Sequence, residues 1–267
     1  MIEILGYTGA LLIGVVLGIT GGGGSILTVP VLVYILSYNP IIATAYSLFI
    51  VGTTSGFGTI QNFKKGLVAP KTAIQFAIPS VIGVYITRKF IVPNLPDPLF
   101  NIGDWSVARG AFLMILFAVF MFLAAYSMLK SKKVEIEKTE KLKDNQNVVF
   151  IIIQLLLVGI LIGLIGAGGG FLIIPALIQI AKLPMKTAIG TSLLIITINS
   201  LIGFIGDVQN TTIEWTFLLS FTAISVVGIF LGLYVQNFIN EKYLKKIFGI
   251  FVLIMAFFIF YKELVSK

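Results

Sequence analysis

Residues Gly18–Ser25 read GITGGGGS, and residues Gly163–Gly170 read GLIGAGGG. Each stretch interrupts a long apolar run. Consecutive glycines break an α-helix because glycine loses more conformational entropy in a helix than any other residue. The apolar runs on both sides lack the strict alternation of a membrane strand, so they predict helices. The sequence therefore predicts two helical hairpins, over residues 4–38 and 148–181, with the glycine clusters at their tips.

The composition indicates a membrane protein. Of the 267 residues, 58% are hydrophobic and 11% are charged, and the mean hydropathy is +1.05; a soluble domain carries roughly 25% charged residues. Cys and His are absent, which removes thiolate and imidazole chemistry, so we predict neither an enzyme nor a cofactor or metal. The net charge of +8 comes from basic residues in the gaps between apolar runs. Membrane topology explains that placement, so the bilayer is the expected partner and nucleic acid is not.

The chain repeats itself at an offset of 145 residues, the separation of Gly14 and Gly159. The offset also pairs other glycines, prolines and serines, which chance pairing of apolar residues does not explain. We predict an all-α polytopic membrane protein of two five-segment repeats, residues 1–130 and 148–267, joined by a charged linker at 131–147. Beyond the hairpins, the predicted helices span 41–63, 72–87, 107–129, 187–205, 213–236 and 243–261.

Charge predicts opposite orientations for the two repeats. The Lys-rich linker 131–147 is expected in the cytoplasm. The gap at 64–71 carries three lysines, whereas its counterpart at 207–214 carries no Lys or Arg, so the two fall on opposite sides. The gap with Lys242, Lys245 and Lys246 is likewise expected inside and its counterpart loop at 93–105 outside. Arg88, Lys89 and Arg109 count against that last assignment. We predict inverted repeats in the cell membrane, a common plan of secondary transporters, with both termini outside. Whether each hairpin crosses fully or is re-entrant stays open.

The helices that restart at Ser25 and Phe171 are expected to present unpaired amides and a partial positive charge. Glycine lets a ligand approach the backbone closely, so two such ends near the membrane centre would form an anion site without a buried cation. Spaced glycines also serve close helix packing, and that explanation remains open for single glycines. The candidate binding residues in the breaks are Gly22, Gly23, Gly24, Ser25, Gly168, Gly169 and Gly170.

A polar side of the third segment in each repeat adds further candidates. In the first repeat Ser47, Thr54 and Ser55 recur at helical spacing. In the second repeat Ser192, Asn199 and Ser200 occupy the counterpart positions, and Thr191 lies beside them. Hydrogen bonding to their own helix or between helices is the competing explanation for such residues.

Two paired motifs resemble a known family. GGGGSILTVP with ATAYSL in the first half, and GAGGGFLIIP with AIGTSL in the second, are similar to the sulfite exporter TauE/SafE family of membrane permeases. The resemblance covers nearly the whole chain. Thr191 matches the Gly-Thr-Ser-Leu motif of the family, whereas its counterpart in the first half, Tyr46, departs from that motif. The resemblance implies transport of sulfur-containing anions: sulfite, sulfonates such as sulfoacetate, or related organosulfur compounds.

Export agrees with the composition. An anion leaving a negative-inside cell gains about 2.3 kcal/mol per charge per 100 mV, so no coupling ion is required. We expect export by alternating access, with the anion between the two helix N-termini. Uptake coupled to an ion and an anion channel remain alternatives, and an intramembrane enzyme is disfavoured. A scaffold role would predict that Gly23→Val and Gly168→Val leave every measured flux unchanged. The sequence predicts no oligomeric state.

Overall fold

The structure is a computed structural model that describes residues 2–102, 105–130, 148–208, 212–239 and 241–265. The predicted linker 131–147 lies outside the described residues. The helices are α1 (Ile2–Thr20), α2 (Gly23–Pro30), α3 (Pro40–Lys64), α4 (Pro70–Ile86), α5 (Val92–Asn94), α6 (Arg109–Lys130), α7 (Val148–Ile165), α8 (Gly170–Gln179), α9 (Met185–Val208), α10 (Trp215–Gln236) and α11 (Glu241–Val265). Two π-helical turns, Val31–Ile35 and Thr87–Ile91, extend α2 and α4.

The described chain is helical apart from its turns and one short hairpin. Strands Phe100–Ile102 and Trp105–Val107 pair antiparallel, with Phe100 opposite Val107. Within the described residues, five helices are long and apolar enough to cross a membrane. Helices suit that environment because each satisfies its own backbone hydrogen bonds. The all-helical, multi-pass prediction is confirmed, while the inversion of the two halves stays a prediction.

Several predicted boundaries were wrong by a few residues. Helix α2 begins at Gly23 and α8 at Gly170, earlier than the predicted Ser25 and Phe171, because these glycines already adopt helical backbone. The segment predicted to run to Tyr38 stops being helical at Ile35, where the π-helical turn ends. Helix α4 continues past its predicted end at Thr87, because the π-helical turn Thr87–Ile91 extends it.

The long arm of each hairpin packs against the fourth helix of the other half. Gly14 of α1 lies so close to α10 that a side chain there would overlap the carbonyl oxygen of Ser225. Gly159 of α7 lies equally close to the carbonyl oxygen of Ser80 on α4. These residues are counterparts at the offset of 145. The close helix packing expected of spaced glycines is therefore present in both halves.

The third helices, α3 and α9, cross each other at small residues. A Cβ atom on Gly52 would lie 3.1 Å from the Cβ of Ser200, and one on Gly56 would lie 3.5 Å from Thr197. Around this crossing, buried side chains such as Leu193 and Ile196 form part of the core. Helices α6 and α11 also pack together, with the rings of Phe122 and Phe257 5.8 Å apart, and Phe117 of α6 packs against Phe171 of α8. The crossing of α3 and α9 is where the candidate residues converge.

Candidate functional site

The two glycine breaks meet each other inside the protein. A Cβ atom on Gly22 would lie 2.6 Å from the carbonyl carbon of Gly170. Neither position therefore accepts a side chain unless one break moves. All residues of both breaks, 21–25 and 166–170, are buried. The predicted breaks are thus adjacent and enclosed by protein, which is the condition for non-helical backbone at membrane depth.

Each break is also packed against the third helix of the other half. Ser192 on α9 donates a hydrogen bond to the carbonyl oxygen of Gly21 at 2.8 Å, where φ is 71°. At the counterpart position, Gly166 has a φ of 68° and packs against Thr44 on α3. Such left-handed backbone favours glycine. The second break also contacts α9, since a Cβ on Gly168 would lie 3.0 Å from the Oγ of Ser200.

The starts of α2 and α8 differ in how their amides are satisfied. Thr20 Oγ1 accepts a hydrogen bond from the amide of Gly23 at 2.7 Å, so part of the α2 N-terminus already has a partner. The Ser25 hydroxyl donates to the carbonyl of Gly22 at 2.6 Å. Helix α8 begins after Gly169, whose φ is 71° and which supplies no side-chain cap. The expected amide donors are therefore more available at α8 than at α2.

Four of the predicted hydroxyls are fully buried and have no hydrogen-bond partner within the protein. They are Ser47, Thr54, Ser55 and Ser200. The first three share the side of α3 that also carries Val51, and Val51 contacts Gly168 in the second break. A buried hydroxyl without a partner costs about 1–3 kcal/mol. These four unpartnered hydroxyls lie on α3 and α9, the two helices that contact the second break through Val51 and Ser200.

The remaining predicted side chains already have protein partners. Asn199 and Ser80 are hydrogen-bonded at 2.9 Å between Nδ2 and Oγ. Thr191 accepts a hydrogen bond from the amide of Ala69 at 3.0 Å, which ties it to the loop before α4. The structure therefore brings Asn199 next to α4 and gives Thr191 a contact away from the breaks.

Sequence reasoning missed a buried ion pair beside the second break. Arg88, in the π-helical turn after α4, is 0% exposed, and its Nη1 lies 3.3 Å from Oδ2 of Asp207 near the end of α9. The same Nη1 donates to Thr44 Oγ1 at 3.1 Å. The sequence placed both charges at helix ends or in loops. The offset of 145 pairs Arg88 with Leu233 and Asp207 with Asn62. The repeat therefore marks both positions as charged in one copy only, but it does not show that the two charges meet.

The larger cavities lie away from the breaks. One of about 580 Å³ is lined by α4 and α7 residues such as Thr72 and Leu155. Another of about 530 Å³ is lined by Tyr38, Glu214 and their neighbours. Among the described residues, no group of three or more His, Cys, Asp or Glu side chains could hold a metal ion. Because the two breaks contact each other directly at Gly22 and Gly170, this conformation of the protein is closed at the candidate site.

Sequence comparisons with known proteins give matches over nearly the whole chain. The sequence profile of the sulfite exporter TauE/SafE family matches residues 7–259. A "probable membrane transporter protein" of Xylella fastidiosa is 30% identical over 96% of this chain and 94% of its own length. The "probable membrane transporter protein YunE" of Bacillus subtilis is 28% identical over 96% of each chain. No solved structure is significantly similar. The chain therefore belongs to the sulfite exporter TauE/SafE family of membrane transporters.

Proposed function

We propose that this protein exports small sulfur-containing anions, such as sulfite, sulfonates including sulfoacetate, or related organosulfur compounds, across the cell membrane. The anion binds where the two glycine breaks meet, between the N-termini of α2 and α8. The observation that supports this site most strongly is the set of four unpartnered buried hydroxyls on α3 and α9, of which Ser200 lies against Gly168 in the second break.

An anion suits this environment better than a cation. A helix N-terminus carries roughly half a positive charge and several free amide donors. Serine and threonine hydroxyls can donate hydrogen bonds to an oxyanion, which removes the free-energy penalty of burying them without a partner. The glycines leave space for backbone amides to approach the ligand. The binding set in this proposal is Gly22–Ser25 and Gly168–Gly170 with Ser47, Thr54, Ser55, Ser192, Asn199 and Ser200; Thr191 contributes through the loop it holds.

Transport proceeds by alternating access. The family profile and the paired contacts between counterpart helices support a mechanism in which one half rocks against the other around the breaks. In our assignment the linker 131–147 is cytoplasmic and both termini are outside. Export then follows the membrane potential, at about 2.3 kcal/mol per charge per 100 mV, and needs no coupled cation.

The substrate is tested by a flux screen in proteoliposomes. Sulfite, thiosulfate, sulfoacetate, taurine and sulfate are loaded in turn, first with an imposed potential and then with an imposed pH gradient. We expect saturable flux of a sulfur anion that follows the potential and shows counterflow. Flux that requires an imposed cation gradient would favour a coupled uptake permease. Flux without saturation or counterflow would favour an anion channel.

The site is tested by substitutions in the two breaks. Gly23→Val and Gly169→Val should abolish flux while the protein still inserts, since Gly169 has a left-handed φ and contacts the side chain of Ile162. Ser55→Ala and Asn199→Ala should weaken flux. Gly56→Ala is the matched control, because its Cβ would meet only ordinary contacts with Thr197. Normal flux in all four variants would overturn the proposed site.

A further inference from the structure

The guanidinium of Arg88 is only half satisfied by its protein neighbours. Its Nη1 atom serves both Thr44 and Asp207, at 3.1 Å and 3.3 Å. Its Nε and Nη2 atoms are buried and have no hydrogen-bond partner within the protein. Leaving charged donors unpaired in an interior is costly. The unpaired atoms therefore point to a partner that binds there during the protein's working cycle.

The two free atoms form one edge of the guanidinium. The Nε and Nη2 hydrogens project side by side, in the fork that matches two oxygens of a carboxylate, phosphate or similar oxyanion. This edge lies against the second glycine break, because a side chain on Gly166 would overlap the Nη2 atom. The edge therefore opens toward the hairpin tip whose movement is part of the proposed transport cycle.

The fold does not need this charge pair for its packing. At the offset of 145, Leu233, Asn62 and Ile189 occupy the positions of Arg88, Asp207 and Thr44. The first break packs against Ile189 as the second break packs against Thr44. The same backbone arrangement thus exists once with charges and once without. A buried ion pair is also a weak source of stability relative to apolar residues of similar volume. These facts favour a functional role for the charges.

We propose that Arg88 forms a second anion subsite, at which its Nε and Nη2 atoms hold two oxygens of a sulfur oxyanion when the second break moves away. Asp207 and Thr44 orient the guanidinium through Nη1. Asp207 also neutralises it when no ligand is bound, which keeps the anion from binding too tightly to leave. The choice of a sulfur oxyanion rests on the proposed function, whereas the subsite itself rests on the geometry.

Ligand binding is measured by thermal unfolding of the full-length protein in detergent. Sodium sulfite is titrated at constant ionic strength, with sodium chloride as the compensating salt and with thiosulfate and sulfate as parallel titrants. Wild type should be stabilised by the oxyanion and not by chloride, because a single-atom anion cannot engage both donors. The matched control is Lys89→Gln, which removes the neighbouring cation that contacts Tyr85 and should titrate like wild type.

The deciding variant is the double substitution Arg88→Gln with Asp207→Asn. It removes both charges together, so it leaves no unpaired ion in the interior. We expect it to fold and to need at least tenfold more sulfite for half-maximal stabilisation. Arg88→Lys keeps the charge beside Asp207 but has no planar fork, and the same tenfold loss is expected. If the double variant does not fold, Arg88→Lys alone decides.

Two results would overturn the subsite. One is a folded double variant, or Arg88→Lys, that responds to sulfite like wild type, since the ion pair is then only structural. The other is a wild type that no oxyanion stabilises. Flux separates this inference from the proposed function. Sulfite transport with an unchanged KM in the double variant refutes the subsite alone. Stabilisation that depends on Arg88, without flux of any sulfur anion, supports the subsite and refutes the proposed function.

Discussion

In the first half of the chain, the hydroxyl of Tyr46 accepts a hydrogen bond from the amide of Glu214 at 2.8 Å. In the second half, the counterpart residue Thr191 accepts one from the amide of Ala69 at 3.0 Å. Ala69 and Glu214 are themselves counterparts. Two quite different side chains thus make the same contact with the loop that precedes the fourth helix of the other half. The backbone arrangement is duplicated more faithfully than the side chains that maintain it.

The charges show the opposite behaviour. Arg88 and Asp207 form a buried pair at one end, and the counterpart end has Leu233 and Asn62, with Asn62 donating to its own helix at Gly58 O, 2.9 Å away. Duplicated contacts between glycines hold the helices together in both halves, whereas the buried ion pair joins the two halves at one end only. Helix packing and the buried polar groups therefore depend on different residues in this protein. Four predictions test this separation.

The largest effect is expected where a substitution leaves a buried charge alone. Asp207→Leu leaves Arg88 without its counter-ion and should lower the free energy of unfolding by about 3–5 kcal/mol. Asn62→Leu, at the counterpart position, removes one hydrogen bond and should cost about 0.5–1.5 kcal/mol. Denaturant unfolding of both variants in detergent measures the difference. Equal losses would mean that the charge pair is not electrostatically distinct from the neutral end.

The next effect tests the duplicated packing. Gly14→Ala and Gly159→Ala each place a methyl group on the carbonyl oxygen of a facing helix, at Ser225 and Ser80 respectively. Overpacking of this kind costs about 1–3 kcal/mol, and we expect similar losses at both sites. Gly56→Ala, which meets only ordinary contacts, should be neutral or slightly stabilising. A loss confined to one of the two glycines would contradict equivalent packing in the halves.

The sequence predicted what depends on the backbone. Glycine runs such as Gly21–Gly24 have few uses other than breaking a helix, and their recurrence at one offset pairs the two breaks in the sequence itself. The polar side of α3 followed from helical spacing, and the structure buries Ser47, Thr54 and Ser55 together. Their position near the other break could be inferred only through the repeat.

The contacts of charged side chains could not be predicted in the same way. Arg88 follows the predicted end of its helix by one residue, and the π-helical turn Thr87–Ile91 continues the helix and keeps Arg88 inside. Its partner Asp207 is distant in sequence, and neither charge has a charged counterpart in the repeat. The sequence analysis assigned both residues to the ends of apolar segments, because hydropathy alone does not reveal that two opposite charges meet inside the protein.

A smaller effect is expected from the two loop contacts. Tyr46→Phe and Thr191→Val each remove one acceptor and should weaken the corresponding loop contact by about 1 kcal/mol. If the contacts close opposite ends of the pathway, the two variants shift its opening in opposite directions. Because the chain has no Cys, Ser55→Cys provides a single reporter for a membrane-impermeant maleimide added from either side of vesicles. Equal shifts toward the same side would contradict the assignment.

The smallest effect concerns the hydrogen bond between Asn199 and Ser80. A double-mutant cycle with Asn199→Ala and Ser80→Ala should give a coupling of about 0.6 kcal/mol, typical of hydrogen bonds between transmembrane helices. The counterpart pair, Thr54 and Ser225, should show none, because Ser225 donates to Ala10 O instead and Thr54 has no partner.

Repeating the cycle in saturating sulfite distinguishes the two roles open to Asn199. A coupling that disappears means that the amide leaves Ser80 for the ligand, whereas an unchanged coupling makes it a link between α4 and α9. Coupling of equal size in both pairs, with or without sulfite, would contradict the predicted difference between Asn199–Ser80 and Thr54–Ser225. Asn199 is the candidate residue for which packing and ligand chemistry are hardest to separate, since in the proposed site one hydrogen bond of modest strength competes directly with the anion.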